Sequence, residues 1–205
     1  MQLKRLIVTN FKGFKDQFIF DLSKIKDYAF YHEYIQNHII EKALIYGKNG
    51  VGKSNLGYAL FDITLLLGNN NHIHYHNETY LNLDSLLDYA TFTYEFVVED
   101  NTITYTYKKE NFNQLLSEKI EINHVTLYDY KRKALDEAIH ISPDNYCKKE
   151  VILSCSESIL PLIKHPLIMQ LVDFIHHMRW YRFSFQRMDE QKRNSNVEEI
   201  IRQTV

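Results

Sequence analysis

Residues 47–54 read Gly-Lys-Asn-Gly-Val-Gly-Lys-Ser, a complete G-x-x-x-x-G-K-[ST] pattern. No other stretch of the chain constrains the fold as strongly. The pattern carries chemistry only in one context, after a strand and at the start of a helix. Here the apolar run Ala43-Leu44-Ile45-Tyr46 precedes it, and Asn55-Leu56-Gly57-Tyr58-Ala59-Leu60-Phe61 follows with helical character. The spacing therefore predicts a buried strand over 43–46, a phosphate-cradling loop, and a helix over 54–67.

The residue types fit that chemistry one by one. Gly47, Gly50 and Gly52 let the backbone wrap a phosphate without Cβ clashes. Loop N–H groups and the orphan N–H groups of the next helix then point at an anion. Lys53, at the helix start, reaches the terminal phosphates as a point charge. Ser54 supplies a hydroxyl for Mg²⁺, which keeps most of its other ligands as water and phosphate oxygens. The expected nucleotide-binding set is Gly47, Asn49, Gly50, Val51, Gly52, Lys53, Ser54 and Asn55, with ATP and Mg²⁺ as cofactors. The bland alternative is a glycine-rich turn that caps a helix and binds nothing.

The rest of the chain sets bounds. Its 205 residues suit one domain, and 45% apolar content is enough for a packed core. A net charge of −2 gives no overall pull toward nucleic acid or a membrane surface. Cys147 and Cys155 form neither a CxxC pair nor a disulfide framework, so reduced thiols in a cytoplasmic protein are expected. The first residues lack the apolar run of a signal peptide. The apolar helix Leu56–Leu67 contains Asp62 and is too short to span a bilayer.

Periodicity places further elements. Leu3, Leu6 and Val8 mark a strand, Asn10–Phe14 a turn, and Gln17–Leu22 a returning strand, together a β-hairpin. Residues 91–98 and 102–107 are β-branched and aromatic, joined by Glu99-Asp100-Asn101 as a second hairpin. Phe96–Asp100 can also be read as an apolar strand ending in a Mg²⁺-binding carboxylate, but the immediate second strand favours a turn. Gly68–Asn71 is a helix stop. Residues 112–140 look mixed, and 151–160 form an apolar stretch ending at Pro161. Pro166–Tyr181 carries Leu167, Leu171, Phe174, Ile175 and Met178 at helical spacing.

Three smaller features are ambiguous. His72-Ile73-His74-Tyr75-His76 places two histidines on one strand face but lacks a completed ligand set, so a solvated loop outweighs a metal site. Lys131-Arg132-Lys133 and Arg179–Phe183 would suit nucleic acid, yet also suit solvated surface and an aromatic strand. The charged stretch 188–205 is expected to form a tail beyond a single domain over 1–187.

The order of these pieces resembles the N-terminal part of the SMC/RecF-like branch of ABC-type ATPases. It is most similar to bacterial ATP-binding proteins of phage-defence loci, of the OLD and abortive-infection types. The resemblance rests on Asn10-Phe11-Lys12-Gly13-Phe14 in the opening hairpin, on Gly47–Ser54 with Asn49 inside the loop, and on the Phe- and Tyr-rich strand pair at 91–107. It implies an α/β fold of the P-loop ABC/SMC-head type: a β-hairpin, a strand–loop–helix unit, additional antiparallel strands and a helical segment. It further implies that Lys12 contacts nucleotide phosphate. A second ATPase head, a homodimer mate or a complementary half, would close the site and control an effector such as a nuclease or toxin. Complete members also carry a signature sequence and an Asp-Glu pair after a later strand, and neither is visible here. The chain is thus expected to be an incomplete head that binds Mg-ATP but hydrolyses it slowly or not at all alone. Two other readings stand beside this one. One is a small-molecule kinase using Arg179, Arg182 and Arg187 as lid arginines. The other is a non-catalytic nucleotide-binding module.

Overall fold

The structure, a computed structural model, describes residues 1–25, 34–67, 79–131 and 158–178. It is a mixed α/β arrangement: a six-stranded sheet of antiparallel pairings with two α-helices packed on one face. The strands are β1 (Gln2–Thr9), β2 (Phe18–Asp21), β5 (Ala90–Val98), β6 (Asn101–Asn111), β7 (Gln114–Ile122) and β8 (Val125–Lys131), in the order β2-β1-β5-β6-β7-β8. Two-residue strands β3 (Ile35–Gln36) and β4 (Ile39–Ile40) form a separate ladder, turned by Asn37 and His38, both at positive φ. The helices are α1 (Lys53–Leu66) and α2 (Pro166–His177). Among the described residues no helix is long and apolar enough to cross a membrane.

The opening hairpin forms as expected, with one device that the pattern alone does not announce. Leu3 and Leu6 are three residues apart, so a regular strand would place them on opposite faces. A bulge between Leu3 and Arg5 resets the alternation. Leu3 then pairs with Phe96 and Leu6 with Tyr94, on the covered face. Leu6 and Val8 are fully buried.

β5 and β6 alternate cleanly. Phe92, Tyr94 and Phe96 on one strand and Ile103, Tyr105 and Tyr107 on the other face the helices, while Thr93 and Thr106 join hydroxyls at 3.0 Å on the opposite face. Glu99 and Asp100 are the exposed residues of a two-residue turn, Glu99 at φ 51°. The register pairs Gln2 with Val97 and Thr9 with Thr91, so this turn lies at the end of the sheet remote from Asn10. The turn reading of Glu99 and Asp100 therefore holds.

α2 buries Ile168, Leu171 and Ile175, and Phe174 meets Phe96 edge to face at 5.9 Å. The stretch expected to end at Pro161 instead carries that proline inside a 3₁₀ turn, Leu160–Leu162. Of residues 112–140, which look mixed in sequence, 114–122 and 125–131 form the strands β7 and β8, and 132–140 lie outside the described residues.

One expectation fails. Ala43–Tyr46 is not a strand: residues 42–47 lie outside every ladder, and Leu44 and Tyr46 are 83% and 88% exposed. A strand requires a neighbour for its N–H and C=O groups. Among the described residues none is offered to this segment, so its apolar composition does not produce burial. Gly68–Asn71, His72–His76, Arg132 and Lys133, Cys147 and Cys155, Arg179–Arg187 and the tail from 188 lie outside the described residues.

Candidate phosphate-binding site

The 47–54 segment turns as its glycines require. Gly50 and Gly52 adopt φ of 83° and 93°, a left-handed region costly to residues with a Cβ. Nothing lies within 4 Å of where a Cβ would stand at either, so the demand is for conformation and not for space. Gly52 is the N-cap of α1 and offers no side chain to its first N–H groups. No acidic residue stands in that first turn. The helix thus starts with orphan donors and the positive end of its dipole uncompensated.

Lys53 folds back over the loop. Its Nζ donates to the carbonyls of Gly47 at 2.7 Å and Lys48 at 2.6 Å. The ammonium is thereby held across the loop's mouth by two neutral acceptors. Charged groups bind an anionic acceptor more strongly. Ser54 is half-buried one residue further on, and its hydroxyl makes no hydrogen bond among the described residues. Asn49, Gly50 and Val51 are exposed at the tip. These groups fit a Mg²⁺-bound phosphate: one cation, a row of backbone donors and one hydroxyl. Among the described residues, no three His, Cys, Asp or Glu side chains gather into a metal-binding group.

The opening hairpin reaches this site through its turn. Phe11 and Phe14 exchange backbone hydrogen bonds at 2.9 and 2.8 Å, closing Asn10–Phe14 into a tight unit. An added Cβ at Gly13 would stand 2.6 Å from Asn55 Nδ2, so the turn presses on the first turn of α1. Lys12, expected at phosphate, stands in the same turn. Its Nζ donates to Thr79 O at 3.1 Å and lies 5.2–5.8 Å from the ring centroids of Tyr58, Phe112 and Phe11. Burial among these rings lowers its pKa, and the Asp62 carboxylate opposes the shift.

A second layer of this site escaped the sequence reading. Asn10 is fully buried and donates to the carbonyls of Leu87 and Tyr89, both at 2.8 Å, while Asn82 N donates to its Oδ1. Asn82 in turn donates to Lys12 O at 2.6 Å. The motif's asparagine is therefore a clamp on residues 82–89. The available signal was the Asn-x-Asp pair at 82–84, a local turn former, whose Asn82 Oδ1 accepts from Asp84 N.

Behind the site, α1 is pinned to the sheet by buried polar groups. Asp62 accepts from Lys109 Nζ at 3.2 Å, Tyr107 OH at 2.9 Å and Tyr80 OH at 3.2 Å, and both ionic side chains are wholly buried. Tyr94 OH donates to Ala59 O one turn earlier. Farther along, Glu118 accepts from Tyr105 OH at 2.9 Å, Ser158 Oγ at 2.8 Å and Ile159 N at 3.1 Å, tying the chain before α2 to β7. Burial first, and the facing carboxylates next, push the Tyr105 and Tyr107 hydroxyls well above the usual tyrosine range.

Comparison with protein-family models and with curated proteins returned no match.

Proposed function

We propose that the chain binds a nucleoside triphosphate, ATP with Mg²⁺, on its 47–54 loop, as part of an ATPase head of the ABC/SMC type. The observation that carries this reading is the uncapped N-terminus of α1 beside a lysine folded across its own loop. An anion arriving there meets backbone donors, a helix dipole and an ammonium that needs only to exchange carbonyls for phosphate oxygens. Lys53 binds the terminal phosphates, Ser54 holds the metal, and Gly47, Asn49, Gly50, Val51, Gly52 and Asn55 shape the cradle. Bound Mg²⁺ supplies neutralisation of phosphate charge. The Asn10–Phe14 turn supports the cradle from the side through Asn55. In this reading a second head completes the site and an effector responds to it.

Titration calorimetry with Mg-ATP tests the proposal. Lys53→Ala is expected to weaken binding on the order of tenfold or more, the equivalent of one charged hydrogen bond of about 1.5–3 kcal/mol. Equal affinity in the two proteins overturns it.

A further inference from the structure

Residues 83–88, Leu-Asp-Ser-Leu-Leu-Asp, show solvent an apolar surface edged with acid. Leu83 is 85% exposed, Leu86 fully exposed and Leu87 45% exposed. Single exposed leucines are ordinary on a protein surface, whereas a contiguous group marks an interaction site. This group is also held in shape. Asn10 Nδ2 donates to Leu87 O and Tyr89 O, Asn82 Oδ1 accepts from Asp84 N, and Ser85 Oγ accepts from Leu87 N. Asn82 Nδ2 donates to Lys12 O and Lys12 N to Tyr80 O, so both ends of the stretch are tied to the Asn10–Phe14 turn. Asp84 and Asp88 are exposed beside the leucines, and no lysine or arginine occurs from 79 to 89. Among the described residues neither carboxylate is in an ion pair. Lys108, at the loop's far end, lies over the Tyr89 ring, 4.3 Å from its centroid.

We propose that the 83–88 loop docks a partner protein through an apolar segment that carries lysine or arginine. The leucines supply apolar area to bury. A preordered loop loses little entropy on docking. Asp84 and Asp88 set the sign of the partner's charge, because complementary charges steer the encounter and like charges suppress it. The same carboxylates repel the phosphates of nucleic acid and of anionic lipid. A second copy meeting loop to loop across a two-fold axis would set these aspartates against their own kind. The docking stands apart from the nucleotide reading: its residues lie outside 47–54, and its test uses no nucleotide.

Fluorescence anisotropy of the full chain with two labelled synthetic amphipathic peptides, one of leucine and lysine and one of leucine and glutamate, is the test. The wild type is expected to bind the lysine peptide on the order of tenfold or more tighter than the glutamate peptide. Leu83→Ser/Leu86→Ser keeps the charge and removes the apolar contact, so it should weaken lysine-peptide binding on the order of tenfold or more. Asp84→Lys/Asp88→Lys should reverse the preference, since charge discrimination follows the sign at these two positions. All four positions are exposed, and circular dichroism melting checks that the variants fold. Equal binding of the two peptides by the wild type overturns the proposal. So does unchanged binding by the serine variant, or a preference that survives the charge reversal. Sedimentation and flotation with phosphatidylserine vesicles examine the other occupants. A wild-type dimer, or vesicle binding, that the serine variant loses would assign the loop to a second copy or to a membrane and overturn the proposal; a loop that serves neither supports it.

Discussion

Replacing Lys109 by Met removes a buried cation and little else. The Met side chain matches the lysine stem and keeps contact with the Tyr80 ring, 5.1 Å from the ammonium in the native chain. Asp62 is left wholly buried with two tyrosine hydroxyls as donors. Breaking a buried ion pair by removing one partner costs about 3–5 kcal/mol, because an uncompensated charge stays in a poorly polarisable interior. Two hydroxyl donors soften that, so we expect about 3 kcal/mol, a large share of the roughly 5–15 kcal/mol that holds a domain folded. Asp62→Asn should cost a similar amount for the mirror reason. The double variant Asp62→Asn/Lys109→Met carries no buried charge and should lose at least about 2 kcal/mol less than the two single losses summed. Urea denaturation followed by circular dichroism measures all four proteins. Additive losses, or a Lys109→Met loss below about 1 kcal/mol, would show that the pair does not act as a unit.

Asn10→Ala should cost about 3 kcal/mol, since it strips two donated and one accepted hydrogen bond from a buried site and puts alanine at φ 55°; a urea midpoint close to wild type would refute it. Gly13→Ala should leave stability within about 1 kcal/mol, because only the Asn55 amide must swing away, yet it should weaken Mg-ATP binding by calorimetry; unchanged affinity would remove the turn from the site's support. The folded-state pKa values of Tyr105 and Tyr107 lie above their unfolded values near 10. Stability should therefore be intact below about pH 10 and fall above it as these two groups release protons in the unfolded chain alone; an alkaline limb of the stability curve that is unchanged in Tyr105→Phe/Tyr107→Phe would contradict this. Asp21 runs the opposite way. Its burial is outweighed by hydrogen bonds from Ser23 and by Arg5 and Lys24, which hold its pKa below the usual carboxylate range. It should stabilise above about pH 4 and lose that contribution as pH falls, so Asp21→Asn should flatten the acid limb of a stability-versus-pH curve.

The parts legible in the sequence are those governed by local rules. The glycines and lysine of 47–54 define their loop by steric freedom and charge. The Phe and Tyr alternation of β5 and β6 defines a hairpin by its period of two. The three- and four-residue spacing after Pro166 defines α2, although its deepest face includes Ile168, which that spacing passed over. What local rules cannot supply is a neighbour. Ala43–Tyr46 has the composition of a buried strand, and composition does not provide a strand to pair with. β7 was obscured because Glu118 occupies an inward position, a choice that makes sense only beside Tyr105, Ser158 and Ile159. Likewise Asp62 looks like a charge interrupting an apolar helix until Lys109 is placed opposite it. The clamp of Asn10 on 82–89 joins residues more than seventy positions apart, beyond any window of periodicity.

The order of strands in the sheet also sets an order in time. β5, β6, β7 and β8 are neighbours in both chain and space, so each pairing closes a turn of a few residues and loses little entropy. β1 joins them only by bringing Thr9 to Thr91, a closure about 80 residues long, and local pairings form faster than distant ones. The meander should assemble first as a template, with β1, its turn and the head of α1 arriving last. Folding-rate measurements would then show that substitutions in β6 and β7 slow folding, while those in β1 mainly speed unfolding. The segment that carries the 47–54 loop would be the latest part of the molecule to form, and so the first to open.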